Sequence, residues 1–300
     1  FGQAVILGLI QIGGIGFMTL GIFIMVLAKV KIGLISRSLM QNSVSAPQIG
    51  GIVKMTRFIL RGTFSIELFG AILLAIYFCP KYGLGKGIWF SIFHSISAFC
   101  NAGFDLMGTA EPFSSLTAQV GNWYVNLIIM SLIVVGGLGF FVWRDILNTR
   151  LHFTKMQLHT KLVLTVTAFL IISGSVLLFL FEHGTASFEG LTLSEQIAAS
   201  SFQSVSARTA GFNTIDLAAL TESGRFLIII LMFIGASPGS TAGGIKTTTF
   251  AVLALSVVTT FRSRKSTEVF GRRLEEMITR KATCIFMLYL SLSLSVSMII

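Results

Sequence analysis

Charge is scarce in this 300-residue chain. Asp, Glu, Lys and Arg together make up 11% of it, where a soluble domain carries about 25%. Apolar residues make up 54%, and the mean hydropathy is +0.86. An ordinary soluble domain is thereby excluded, because too little charge exists to build its wetted surface. Cysteine is scarce as well. Cys79, Cys100 and Cys284 stand far apart, with no CxxC pair and no metal-ligand spacing. Neither a disulfide framework nor a zinc site is expected. A nucleotide fingerprint, a phosphate loop and paired catalytic carboxylates are also missing. The chain reads as no enzyme, with no bound cofactor. No cleavable leader is visible. Phe1 already lies inside an apolar run, so the natural N-terminus is expected upstream of it.

What is present is a series of long apolar runs. Several approach the roughly 20 residues a helix needs to cross about 30 Å of hydrocarbon. The coarse spans are 5–28, 58–79, 123–142, 162–181, 226–261 and 282–300, the fifth too long and too broken for one simple helix. The net charge of +10 would suit a nucleic acid, but its distribution does not. Basic residues cluster in 29–61, 144–161 and 262–281. The segments between hold Asp105, Glu111, Glu182, Glu189, Glu195, Asp216 and Glu222. This is positive-inside asymmetry. It predicts a multi-pass protein of the cell membrane, partnered by lipid and not by nucleic acid, with the three basic segments cytoplasmic.

Two shorter serine-rich segments, 87–105 and 193–213, are expected to re-enter from the outer side rather than cross. They resemble each other. One reads Phe93-His-Ser-Ile-Ser-Ala-Phe-Cys-Asn-Ala-Gly103-Phe104-Asp105. The other reads Phe202-Gln-Ser-Val-Ser-Ala-Arg-Thr-Ala-Gly211-Phe212-Asn213, one residue shorter. About 32 residues downstream of each stands a double glycine, Gly136-Gly137 and Gly243-Gly244, and residues 12–17 carry nearly the same string. The unit is helix, re-entrant segment, glycine-bearing helix, at a period of roughly 110–120 residues. Residues 1–36 then hold the second helix of one unit. Residues 37–150 and 151–265 hold two whole units, and 266–300 a cytoplasmic linker and the first helix of another.

The chemistry follows from what hydrocarbon forbids. Non-helical backbone at membrane depth survives only when buried in protein or lining a watery cavity. Asn101-Ala102-Gly103-Phe104 and Thr209-Ala210-Gly211-Phe212 follow short helices and contain a glycine, which tolerates φ values other residues avoid. Carbonyl rings can replace the hydration shell of a dehydrated cation, and the negative end of a preceding helix favours it too. Gly103 and Gly211 are the candidate filter glycines; the plain alternative is a turn after an interfacial helix. Asp105 and Asn213 share a position just beyond them, either at a pore mouth or in a solvated loop.

A third stretch breaks the fifth span. Residues 235–247 contain Gly235, Pro238, Gly239, Ser240, Thr241, Gly243, Gly244 and Lys246. Proline removes a helix hydrogen bond, and broken helices line intramembrane cavities. An ionisable residue at that depth suggests function. The stretch is read as an intramembrane gate, or else as a packing face with Lys246 snorkelling. The other double glycines are read as packing sites in preference to hinges. Glu67, inside a span, either pairs with a neighbouring basic residue or is a buried structural acid. His152 and His159 are expected to be solvated.

The strings at 97–105, 202–214 and 239–246 resemble the Trk/Ktr/HKT superfamily of potassium transporters, and 151–164 is similar to its KtrB-type members. The resemblance covers nearly the whole chain. It implies an all-α transmembrane fold of four helix–pore-loop–helix repeats around one pseudo-fourfold pore, with one filter glycine per repeat. Gly103 and Gly211 match the second and third. It further implies potassium as the transported ion, sodium as an activator in several members, a homodimer, and a cytoplasmic RCK-type nucleotide-binding regulator like KtrA. Two other readings compete. An ion-coupled carrier would explain the broken helix but not the paired re-entrant segments. A membrane subunit of a sodium-translocating ATPase would need a mid-membrane acid, for which Glu67 is the one candidate.

Overall fold

The structure, a computed structural model, describes residues 1–16, 52–108, 114–263 and 268–299. The remainder of the span 5–28, most of the first basic segment and Glu111 lie outside the described residues. Among the described residues ten α-helices follow one another: α1 (Gly2–Ile15), α2 (Ile52–Tyr82), α3 (Leu84–Phe99), α4 (Trp123–Leu138), α5 (Phe140–Thr149), α6 (Leu158–Glu182), α7 (Leu193–Ser206), α8 (Glu222–Phe233), α9 (Thr247–Phe261) and α10 (Glu276–Ile299). Three of them, α2, α6 and α10, are long and apolar enough to cross a bilayer. Three of the described α-helix starts carry side-chain caps. Asn122 accepts from the Val125 N–H, and Thr221 from that of Gly224. At α7, Thr192 and Glu195 form a reciprocal capping box.

The internal repeat is visible atom by atom. In one unit Ser95 of α3 donates to the Glu67 carbonyl of α2 at 2.6 Å; in the next Ser204 of α7 donates to the Ile171 carbonyl of α6 at 2.9 Å. Each serine sits over a glycine three residues further along the partner helix. A Cβ on Gly70 would stand 2.6 Å from Ser95 Oγ, and one on Gly174 would collide with Ser204 Oγ. The contact between units recurs too: α1 packs on α3 and α4 packs on α7. One core runs through this succession. Leu7 of α1, Phe78 of α2, Phe93 and Phe99 of α3, Ile129 of α4 and Phe202 of α7 all belong to it.

Four expectations need correcting. The third span is not continuous: Gly139, at φ 90°, ends α4, and α5 leaves at 94° to it. Gly16 ends α1 in nearly the same conformation, at φ 88°. These glycines therefore break helices as well as packing them, because few other residues tolerate that φ. The fold is not wholly helical. Residues 268–269 and 272–273 form a two-stranded antiparallel hairpin, β1 and β2. His159 is drawn into the first turn of α6 with its Nε2 buried, whereas His152 stays exposed. Of the two readings of Glu67 the structure agrees with the buried structural acid: it accepts from Gln11 Nε2 at 3.0 Å and from the Cys100 thiol at 3.6 Å, with no ion pair among the described residues.

The basic segments meet in space. Arg144 Nη1 lies 3.7 Å from Met55 Sδ, and the Phe153 and Phe270 rings pack edge to face. At the opposite end of α6, buried Glu182 accepts from Ser187 Oγ and Thr221 Oγ1, each at 2.7 Å, and ties α6 to the start of α8.

Candidate functional site

The two short helices expected to re-enter, α3 and α7, end in the same unusual backbone. After α3, Asn101 and Gly103 take φ 53° and 71°; after α7, Thr209 and Gly211 take φ 89° and 93°. Positive φ at a β-branched threonine is a true outlier. Strain of this kind is kept where surrounding structure over-determines it, often at functional sites. What over-determines it here is a matched pair of hydrogen bonds. Ser97 Oγ donates to the Phe104 carbonyl at 2.7 Å, and Ser206 Oγ donates to the Phe212 carbonyl. The sequence reading overlooked both serines, although they occupy one repeat position. It also overlooked His94. The Leu106 N–H donates to His94 Nε2 at 3.3 Å, so the proton sits on Nδ1 and is given to the Phe90 carbonyl at 2.7 Å.

The tertiary fold brings the two loops together at their glycines. A Cβ on Gly103 would run into the Ala210 carbonyl oxygen and stand 2.9 Å from the Gly211 Cα. One on Gly211 would stand 3.4 Å from the Gly103 Cα. Backbone lies against backbone; at Gly103 only glycine leaves room for it, whereas at Gly211 a Cβ would be in ordinary contact. Ala102 is half-buried and Ala210 buried; Phe104 is exposed, whereas Phe212 is buried in the core. Asp105 does not reach outward with its Oδ1, which accepts from the Met107 N–H at 2.9 Å. Asn213 is tied to the preceding unit: its N–H donates to Ser115 Oγ at 3.2 Å, and its carbonyl accepts from the Leu116 N–H at 2.9 Å.

Residues 235–246 form a non-helical loop between α8 and α9, closed at its base by a bridge between Ile234 and Ile245. At that closure Gly235 lies against Gly243 and Gly244 so closely that a Cβ would meet their backbone. The loop is seated in the break between α4 and α5. The Ser237 N–H donates to the Gly137 carbonyl at 3.1 Å, its hydroxyl donates to the Leu138 carbonyl, and the Thr241 N–H reaches the Gly136 carbonyl at 3.3 Å. In return the Phe140 N–H donates to the Gly239 carbonyl at 2.8 Å, next to Pro238. The free backbone groups of the bend and of the loop thus satisfy each other. Ser240 Oγ donates to the Ser237 carbonyl at 2.7 Å, within the loop.

Thr241 joins the loop to the first filter segment. Its hydroxyl donates to the Phe99 carbonyl at 2.9 Å and accepts from Asn101 Nδ2 at 2.9 Å. Lys246 neither snorkels nor points free; its Nζ donates to the Ala242 carbonyl of the loop itself at 2.7 Å. Buried Arg208, one residue before Thr209, donates to the Gly235 carbonyl at 3.4 Å. The predicted filter and gate residues are therefore one assembly, linked at Asn101–Thr241 and at Arg208–Gly235.

The chain as a whole is similar to known proteins. Residues 1–299 match the TrkH family, described as a cation transport protein. The chain is 40% identical to the potassium/sodium uptake protein NtpJ of Enterococcus hirae over 299 residues, covering 100% of this chain and 65% of that one. It is 41% identical to the Ktr system potassium uptake protein B of Bacillus subtilis over 298 residues, covering 97% of this chain and 66% of that one. The chain thus spans about two thirds of the length of these curated relatives. The potassium transporter TrkH from Vibrio parahaemolyticus shares the fold, with a TM-score of 0.69 and 18% identity over 95% of this chain and 57% of that one. The family is one of membrane transporters and not of enzymes, in line with the motifs missing here. The chain belongs to the TrkH family of cation transport proteins.

Proposed function

We propose that the whole protein takes up potassium across the cell membrane through a filter lined by backbone carbonyls. The residues assigned to it are Asn101, Ala102, Gly103 and Phe104 in one unit and Thr209, Ala210, Gly211 and Phe212 in the next. The observation that carries this reading is the matched positive φ at Asn101/Gly103 and Thr209/Gly211, with the two glycines in backbone contact. Potassium as the ion draws support from the names of the relatives, one of which is called a potassium/sodium uptake protein. Residues 235–247 act as the gate below the filter, because Thr241 touches both the end of the pore helix and the filter.

The further arrangement follows the family resemblance: four repeats around one pore, a homodimer, a cytoplasmic RCK-type regulator bound on the basic side, and sodium as an activator. The word system in the relatives' names supports a partner subunit. Contacts among the three basic segments support their lying on one side of the membrane. The test is ion flux through the purified whole protein in liposomes. Conduction that rises linearly with driving force and prefers potassium to sodium is expected. Saturable, coupled exchange would overturn the pore in favour of a carrier.

A further inference from the structure

A charged cleft opens along α2 at the basic end of the molecule. Lys54, Arg57 and Arg61 are exposed and follow one another at i, i+3 and i+7, so one face of the first turns carries three cations. With Phe58, Gly62 and Ser65 they line a hollow of about 490 Å³. Among the described residues none of the three forms an ion pair; the one salt bridge joins Arg280 to Glu276.

A second hollow lies further along the same helix. It measures about 320 Å³ and lies between α2 and α4, lined by Ile66, Phe69 and Leu73 on one side and Leu127, Ile128 and Ser131 on the other. It holds no charged residue. Gly62, Ile66 and Phe69 stand at i, i+4 and i+7, so the cleft and the groove share one ridge of the helix. From Arg61 to Phe69 the helix rises ~12 Å. Beyond the groove, Leu68, Ile72 and Ile76 stay 54–63% exposed on this bilayer-length helix.

The order along α2 is therefore three cations without an ion pair among the described residues, then a hydroxyl at Ser65, then a mostly apolar groove. A free phosphate would fill the first hollow and leave the second empty. A neutral lipid would fill the second and leave the cations unmatched. An acidic protein surface would likewise leave the groove open. We propose that α2 and α4 hold one anionic phospholipid, its phosphate between Lys54, Arg57 and Arg61 and one acyl chain in the groove past Phe69. Arginine and lysine bind phosphate oxygens through charge-assisted hydrogen bonds, and basic pockets at the ends of membrane helices take lipid headgroups.

The reporter is built in. A Cβ on Gly62 would stand 3.3 Å from the Trp143 ring, so that indole lies directly behind the cleft. The whole protein, with every tryptophan except Trp143 changed to phenylalanine, is returned to phosphatidylcholine nanodiscs and titrated with brominated phosphatidylglycerol or brominated phosphatidylcholine. Quenching of Trp143 by phosphatidylglycerol is expected at about a tenfold lower lipid fraction. Lys54→Gln/Arg57→Gln/Arg61→Gln should abolish that preference, and Lys54→Arg/Arg57→Lys/Arg61→Lys should keep it. Ser131→Phe should weaken it severalfold by filling the groove with charge untouched. Inorganic phosphate should not displace the lipid. Equal quenching by both lipids, a preference that survives the glutamine variant, or full displacement by inorganic phosphate would each overturn the site. Absence of quenching by either lipid would overturn it too, since another protein surface would then cover the face.

Discussion

Gly103 and Gly211 are held by two separate constraints, and the constraints predict different mutants. At Gly211 the limit is φ: a side chain at 93° is strained even though the space beside it is ordinary contact distance. Such strain costs about 1–3 kcal/mol. Gly211→Ser should therefore leave an inserted protein with displaced carbonyls. Its potassium-over-sodium preference, read from rubidium and sodium uptake, should fall about tenfold, the equivalent of ~1.4 kcal/mol. Unchanged uptake constants for both ions would remove the residue from the filter. Gly103 has in addition no room, because its Cβ would overlap the Ala210 carbonyl. Gly103→Ala should be the more damaging change. Ser97→Ala and Ser206→Ala test the bracing of the same loops. Each deletes one hydrogen bond to a filter-loop carbonyl, a loss of about 1 kcal/mol. Each should relax ion preference with little loss of protein in the membrane; retained preference in both would mean that the clamps are ornamental. That these loops need glycine was legible in the strings themselves. That serine hydroxyls hold the loops was not, because serine in an apolar helix more often bonds its own preceding turn.

At the scale of elements the deciding feature is a helix break repeated at one place. Gly16, Gly139 and Lys246 occupy the same repeat position; the two glycines end α1 and α4 there, whereas Lys246 closes the loop after α8 and caps the start of α9. The pattern was readable as glycine, but its meaning was not: a glycine pair packs helices and bends them with the same residues. The 94° turn at Gly139 exposes carbonyls of α4 that the loop then occupies. The loop proposed as the gate is thus tied down by hydrogen bonds, and its seat can be weakened without emptying a core. Thr241→Val keeps shape while removing two bonds, to Phe99 and Asn101. With each worth about 0.5–1.5 kcal/mol, basal potassium flux should rise severalfold without the regulator. Deleting Gly239–Gly243 should raise it further, and Lys246→Ala should raise it least, since that lysine only closes the loop on its own Ala242 carbonyl. A deletion protein that inserts and conducts no faster than its parent would make the loop a packing element.

For the whole molecule the prediction is one of sidedness. Met55 against Arg144 and Phe153 against Phe270 gather the three basic segments at one end. Those segments should all be cytoplasmic. In a cysteine-free whole protein, Lys155→Cys should resist a membrane-impermeant thiol reagent applied to intact cells, and a cysteine at Gly184 should react. Labelling at 155 from outside would overturn the orientation. It would also detach the regulator from the basic end, since a cytoplasmic partner cannot reach an outer surface.

What the sequence by itself determined is the class and the period: a membrane chain, built from a repeated helix–loop–helix unit, with glycine at each loop. Those properties are local or additive. Hydropathy sums along the chain, and a glycine required by φ is required wherever the chain goes. What only the tertiary structure decided is which of these local features meet. Gly103 lies against Gly211, and Asn101 reaches Thr241 across 140 residues. Glu67, readable only as a buried acid or one half of an ion pair, finds an amide and a thiol. Such pairings depend on helix angles and on a 94° bend, and neither is encoded in any single stretch. The physical reason is that a hydrogen bond or a close backbone contact is decided over a few tenths of an ångström. The periodicity that reveals a helix says nothing at that precision about its neighbour.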